Sequence, residues 1–353
     1  MSSDSWDVVV VGAGPAGAAA ARAAALTGAS TLLLEKAELP RYKRCGGGLI
    51  GPSQQLLRDA GIDLAALAHD DVGRVTFTHR GRRPVTHTAS PFLPMVLRSE
   101  LDLALVEAAE AAGAQLRTGV SVTGYAEQAG RVVLSTEAGA ISARAVVGAD
   151  GSASRAGAFV GVTCDQVDIG LEAEIPTPVG TDWKGHVALD WGPVAGSYGW
   201  VFPKGDSLTV GVIGDRAHGE ELRDYYRSFV ASVGLDLATA TRDGGHQTRV
   251  RAPGSPLHRG QVLVAGDAAG LLEPWSREGI SFALRSGALA GRAAVEGVAS
   301  YPAAVERELG PEMALGRRAL QVFSRYPWAV HTAMRRVPAM WSLFVDVVAG
   351  DRR

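Results

Sequence analysis

The chain opens on Trp6-Asp7-Val8-Val9-Val10-Val11, four β-branched residues in succession. Such a run fits a strand buried on both faces of a parallel sheet. It leads into Gly12-Ala13-Gly14-Pro15-Ala16-Gly17 and an alanine-rich stretch that predicts a helix from about Pro15 to Thr27, closed by Gly28. Ser30 to Leu34 reads as a second buried strand with Glu35 at its tip. Two later runs have the same character: Ala145 to Ala149, which ends in Asp150-Gly151, and Gln261 to Ala265, which ends in Gly266-Asp267. Strands of this kind alternating with helices predict an α/β fold built on a Rossmann-like sheet.

Between these runs the pattern changes. Residues 52 to 68 read as helical, and Val72 to Thr78 with Pro84 to Thr88 alternate as a hairpin across Arg80-Gly81. A helix is predicted from Ser99 as N-cap, with Leu101, Leu105, Val106 and Ala109 apolar and Gly113 at its end. Short strands follow at Gln115 to Arg117, Ser121 to Tyr125, Val132 to Ser135 and Ala140 to Ser142. From Ile169 to Gly214 four alternating segments predict an antiparallel sheet, with a helix from Gly219 to Val233 after it. This middle region lacks α/β alternation and reads as a substrate domain inserted into the nucleotide-binding fold. The expected division is 1–70, 98–160 and 250–300 for the first unit, 71–97 and 161–249 for the insertion, and 301–353 for a helical C-terminus. A small-residue helix is expected from Glu278-Gly279-Ile280-Ser281 to about Val298. The apolar positions Trp328, Met334, Trp341 and Phe344 read either as core or as an amphipathic surface meeting a membrane, with Arg335 and Arg336 at the headgroups.

Composition narrows the function. A length of 353 residues suits two domains or one with a large insertion, and a net charge of −2 leaves no basic excess for nucleic-acid phosphates. Cys45 and Cys164, the only two cysteines, form neither a disulfide framework nor a metal motif, which fits a reducing, cytoplasmic setting. The first residues lack the basic region of a signal peptide, and no apolar window reaches the roughly 18 residues of a spanning helix.

The chemistry begins at Gly12 to Gly17. In a G-x-G-x-x-G turn the first glycine permits the tight bend, the second lets backbone approach a diphosphate, and the third packs helix on strand. The helix start contributes N–H groups and the positive end of its dipole. Glu35 stands where a carboxylate accepts hydrogen bonds from an adenosine ribose. A dinucleotide site follows, its occupant open on this signal alone. The loop Lys36 to Leu49, basic and ending in Cys45-Gly46-Gly47-Gly48, is suited to backbone contact with a ligand.

Three separated pieces, Gly12 to Gly17 with Glu35, Asp150 to Arg155, and Gly266-Asp267 with Glu278-Gly279-Ile280, together resemble the para-hydroxybenzoate hydroxylase superfamily. Within it the chain is similar to the geranylgeranyl reductase family. That likeness rests on the Cys45-Gly46-Gly47-Gly48 loop, on Arg98 with Leu101-Asp102, and on Tyr198-Gly199-Trp200-Val201-Phe202-Pro203-Lys204 followed after six residues by Gly211. The resemblance implies a glutathione-reductase-type FAD-binding fold. It places Gly12, Gly14, Ala16, Gly17 and Glu35 at the adenosine and diphosphate, and Asp267, Gly279 and Ile280 at the ribityl chain and flavin ring. Further FAD contacts are implied for Lys36, Arg44, Cys45, Gly46, Gly47, Arg98, Val122, Asp150 and Gly151. The Tyr198 strand is implied to line the substrate cavity, with Tyr198, Trp200, Phe202, Pro203, Lys204 and Gly211 at the substrate.

The family activity implied is FAD-dependent reduction of carbon–carbon double bonds in a hydrophobic isoprenoid or polyene, with NAD(P)H or another external donor loading the flavin. Cys45, Tyr198 and Trp200 are the catalytic candidates, the aromatic faces because they stabilise positive charge developing on an alkene. Cys45 fits either proton delivery or simple backbone contact. Arg277 stands where the family commonly has glycine, and is expected to narrow the site or hold an anionic substrate group. The same FAD fingerprint also suits an aromatic-ring monooxygenase; a non-catalytic flavoprotein module is the remaining reading.

Overall fold

In the computed structural model, residues 5–349 are described. The Val8 to Val10 run is completely buried at the centre of an eight-stranded sheet. Its strand, Ser5–Val11, pairs in parallel with Thr31–Leu34 on one side and Gly139–Gly148 on the other. Val262–Val264 extends the parallel order beyond Gly139–Gly148, and Gln115–Arg117 extends it beyond Thr31–Leu34. Strands covered on both faces have no polar alternation to keep, which is why these segments read as continuous apolar runs. The α/β expectation is met.

Two helices lie together against this sheet: Pro15–Ala25 and Ile280–Glu296. A Cβ on Gly287 would strike the Ala16 carbonyl and one on Gly291 the Ala20 carbonyl. The small residues of the second helix therefore bring the two backbones into direct contact, a spacing that leucine would forbid. Both helices begin at the same edge of the sheet.

The second sheet has seven strands in the order Arg242–Arg251, Cys164–Pro176, Ser207–Asp215, Tyr198–Lys204, His186–Trp191, Ala68–His79 and Arg82–Val96. One face packs on the amphipathic helix Gly219–Ser232 through Leu222, Tyr225, Phe229 and Val230. The other carries Tyr198, Trp200, Phe202, Phe77 and Trp191. C-terminal helices Tyr301–Arg325, Pro327–Arg336 and Pro338–Ala349 cover part of that face: Phe323 meets Trp191, and Phe344 meets Phe77 edge-on at 5.4 Å.

Several local expectations are corrected. The helix after Leu97 starts at Arg98, with Leu97 as N-cap; Ser99 already lies inside it, because the Leu101 amide bonds the Leu97 carbonyl. Residues 52 to 68 form two short helices, Gly51–Asp59 and Leu64–Leu67, divided where Gly61 takes φ +78°. The runs at 140–142 and 145–149 belong to one strand, Gly139–Gly148, whose first half pairs with a hairpin strand and whose second half joins the parallel core. The second sheet is not wholly antiparallel, since His186–Trp191 runs parallel to Ala68–His79. Its edge strand Arg242–Arg251 escaped sequence analysis because its glycines and charges lack strand character.

Candidate active site

The turn after the first strand has the backbone its glycines require. Gly12 takes φ +102° and a Cβ there would strike the Ala149 carbonyl, and a Cβ on Gly17 would run into the Gly12 carbonyl. Ala16 is buried against the second helix. Gly14 faces open space bordered by the guanidinium groups of Arg41 and Arg98, each 3.8 Å from the place a Cβ would take. Both cations are held by Asp102, which is completely buried: Arg98 donates to it at 2.7 and 2.9 Å, and Arg41 at 3.1 Å. Two fixed cations, a helix start and a side-chain-free turn suit a diphosphate.

Glu35 is buried, and accepts from the Ala13 amide at 2.9 Å, the Ala37 amide at 3.1 Å and Arg41 at 3.3 Å. An ionised carboxylate has about four acceptor positions, so it braces the turn and retains capacity for a sugar hydroxyl. Lys36 beside it is exposed. Arg41 was not singled out from the sequence; its place in the basic loop was the only signal.

Asp150 lies in the turn after the strand Gly139–Gly148. Its carboxylate accepts from Ser154 and from the Arg155 amide at 2.8 Å, capping the short helix Arg155–Val160. Gly151, at φ +82°, borders open space. Val122 is buried and its carbonyl receives Arg155 at 3.1 Å. Asp267 lies at the mouth of the parallel sheet, 3.7 Å from the place a Gly279 Cβ would take, beside the start of the helix that begins at Ile280. Burial pushes its carboxyl above the ordinary range, while Lys43 and Arg98 oppose the shift.

The loop that follows Arg41 is stitched to the second sheet. Lys204 donates to the Cys45 carbonyl at 2.7 Å, the Val96 amide to the Gly47 carbonyl at 2.9 Å, and Arg44 to the Asp243 carbonyl at 3.3 Å. A Cβ on Gly46 would meet the Phe202 ring, and Gly47 takes φ +84°. Cys45 is a free thiol whose sulfur accepts from the Gly47 amide at 3.4 Å.

Tyr198, Trp200 and Phe202 share one face of their strand, with ring centroids 5.9 and 6.3 Å apart in succession. Gly211 is paired with Trp200 across the sheet, and a Cβ there would collide with the indole. The glycine that follows the motif after six residues therefore makes room for its tryptophan. Pro203 alternates to the other face. Tyr198 donates its hydroxyl to the Ser276 carbonyl, and burial pushes its phenol further up from the ordinary value. Arg277 is bonded within the protein. Its side chain is buried in an ion pair with Asp168 at 3.0 Å and also donates to the carbonyls of Gly196 and Trp275. It pins the segment before Gly279 to the second sheet.

Glu172 lies on the aromatic face as well, in an alternating strand whose pattern carries no local signal for it. It is 2 % exposed, and neither carboxyl oxygen has a hydrogen-bond partner.

The residues present fit FAD: the cradle at Gly14 suits its diphosphate, and Asp267 with the second helix start lies further along the same sheet edge. Comparison with known proteins agrees. The family described as FAD binding domain matches residues 5–187. A chloroplastic geranylgeranyl diphosphate reductase from Oryza sativa subsp. japonica is 31% identical, over 98% of this chain and 78% of that protein. A digeranylgeranylglycerophospholipid reductase from Thermoplasma volcanium is 30% identical, over 84% of this chain and 80% of its own. The crystal structure of a geranylgeranyl bacteriochlorophyll reductase-like protein from Thermoplasma acidophilum superposes with a TM-score of 0.77 at 23% identity, covering 91% of this chain and 88% of that one. Fold and site together define an FAD-dependent oxidoreductase. More narrowly, the chain belongs to the geranylgeranyl reductase family.

Proposed function

We propose that this enzyme saturates carbon–carbon double bonds of a hydrophobic isoprenoid or related polyene. The observation that carries the reading is the row Tyr198, Trp200 and Phe202, whose Phe202 ring packs on Gly46 of the Cys45-Gly46-Gly47 loop. Bound FAD, once reduced, supplies the hydride. The chain holds the cofactor with Arg41, Arg98 and the Gly12 to Gly17 turn, lines the polyene with aromatic rings that favour developing positive charge, and excludes water by closing the loop onto the sheet through Lys204. NAD(P)H or another external donor reloads the flavin. Anaerobic incubation of dithionite-reduced enzyme with candidate polyenes, read by mass spectrometry, is expected to yield products heavier by two hydrogens. Products carrying an added oxygen atom, formed only in air, would instead establish the monooxygenase reading.

Access for a lipid substrate is supported by an apolar strip on the C-terminal helices. Leu315, Val322, Tyr326, Trp328 and Val337 are exposed there, with Arg325, Arg335 and Arg336 exposed alongside. We assign this strip to peripheral contact with an anionic lipid surface. Among the described residues no helix is long and apolar enough to cross a membrane.

A further inference from the structure

Reduction of an alkene needs one proton besides the hydride, and the aromatic wall contains few groups able to give one. Tyr198 has its hydroxyl engaged by the Ser276 carbonyl. The Cys45 sulfur is turned back to its own loop at Gly47. Glu278 is held by the Ser281 amide at the helix start, and its charged neighbours are Glu273 and Glu312 rather than the aromatic row.

Glu172 is placed otherwise. In the sheet it pairs with Gly211 on one side and Gly244 on the other, so no side chain stands beside it in either neighbouring strand. The gap at Gly211 is closed from beyond by the Trp200 indole, and that at Gly244 by the Arg44 guanidinium. Trp200 Nε1 and Thr209 Oγ1, both buried on this face, also lack partners. Four unpaired polar atoms in one patch are costly, at about 1–3 kcal/mol per group, unless something bound there uses them. The patch adjoins the aromatic row, since the place a Cβ on Gly211 would take lies 2.5 Å from the Trp200 ring and 2.9 Å from the Glu172 Cβ.

The geometry points to Glu172 as the general acid of the reaction, its carboxyl unclaimed by any neighbour and flanked by the Trp200 indole and the Arg44 guanidinium. This rests on the proposed alkene reduction. The hydride of the reduced flavin bonds to one alkene carbon, the π electron pair takes the carboxyl proton at the other, the O–H bond breaks, and the carboxylate left behind is reprotonated from water. Burial supports the assignment by pushing the Glu172 carboxyl up to about 7, so that much of it carries a proton at neutral pH. The groups facing it are Lys204 from the Tyr198 strand, Glu174 from its own strand, and Lys43 and Arg44 from the loop. Tyr42 and Tyr226 lie within its field, and His246 stands on the neighbouring edge strand.

The test uses FAD-loaded wild type, Glu172→Gln and Glu172→Asp, with FAD content and thermal melting checked first. In protein labelled with 13C at glutamate carboxyls, wild type is expected to show a resonance titrating near pH 7 that is absent from Glu172→Gln. In anaerobic single turnovers Glu172→Gln should slow product formation by about 100-fold or more, the usual worth of a general acid. Glu172→Asp should recover part of that rate, and the fall in rate as pH rises through about 7 should vanish in the Gln variant. Turnover by Glu172→Gln within about threefold of wild type, or the same neutral glutamate titrations in wild type and Glu172→Gln, overturns the assignment alone. If wild type reduces no polyene, the proposed function falls and this role falls with it.

Discussion

Asp102 is completely buried yet holds two guanidinium groups, and this makes it the fixed point of the diphosphate cradle. Breaking a buried pair by removing one partner costs about 3–5 kcal/mol. Asp102→Ala is therefore expected to release Arg41 and Arg98 from Gly14 and to weaken FAD binding by at least about tenfold, measured by flavin fluorescence titration. Unchanged affinity would mean that the two cations do not serve the diphosphate. Gly211 offers a second single-residue test. A methyl group there meets the Trp200 ring and the Leu171 carbonyl, so Gly211→Ala should lower stability to denaturant by about 1–3 kcal/mol. Glycine at this position follows from the tryptophan opposite, a pairing across strands that the spacing of the motif records without explaining.

The helices Pro15–Ala25 and Ile280–Glu296 meet backbone to backbone at Gly287 and Gly291, and their contact sets how far apart the two helix starts lie. Gly291→Val should force them apart, lowering the melting temperature and the FAD content of purified protein together. The C-terminal helices divide their apolar residues between two tasks. Trp341 and Phe344 pack on Phe77, Phe92 and His87, whereas Trp328 is 60% exposed. Deleting residues 326–353 would thus strip the second sheet as well as any membrane contact. The sharper variant is Trp328→Ser with Arg335→Glu and Arg336→Glu, expected to abolish co-sedimentation with anionic vesicles while melting stays within a few degrees of wild type. Persistence of vesicle binding in that variant would sink the lipid-surface assignment.

Taken as one molecule, the protein places a titrating carboxyl on the covered face of its second sheet, and that has a consequence for stability. The Glu172 carboxyl is raised in the fold from 4.5 to about 7. Between those values the folded state binds the proton more tightly than the unfolded chain, so this group's contribution is present below about pH 4.5 and is lost as pH rises through about 7. Glu172→Gln removes the dependence. The stability of the variant relative to wild type should accordingly rise between about pH 5 and about pH 8, by up to roughly 3 kcal/mol at 1.36 kcal/mol per unit, in urea unfolding. Parallel curves for the two proteins would show that Glu172 does not titrate in this window.

Much of the parallel sheet and its cofactor turn was legible in the chain itself. Val8 to Val11, Leu32 to Leu34 and the glycines at 12, 14 and 17 are local signals, since burial on both faces and a tight turn constrain neighbouring residues directly. The aromatic row was legible for the same reason: alternation alone puts Tyr198, Trp200 and Phe202 on one face. What those residues meet was decided only by the tertiary structure. Arg277, read as a substrate contact, is claimed by Asp168 more than a hundred positions away in the chain. Arg41 reaches the diphosphate cradle through Asp102, and Glu172 stands unpartnered only because two distant strands present glycine on either side of it. Periodicity is written in adjacent residues, whereas ion pairs and gaps arise where distant segments meet. The cradle at Gly12 to Gly17 thus belongs to the sequence, and the chemistry at the other sheet belongs to the fold.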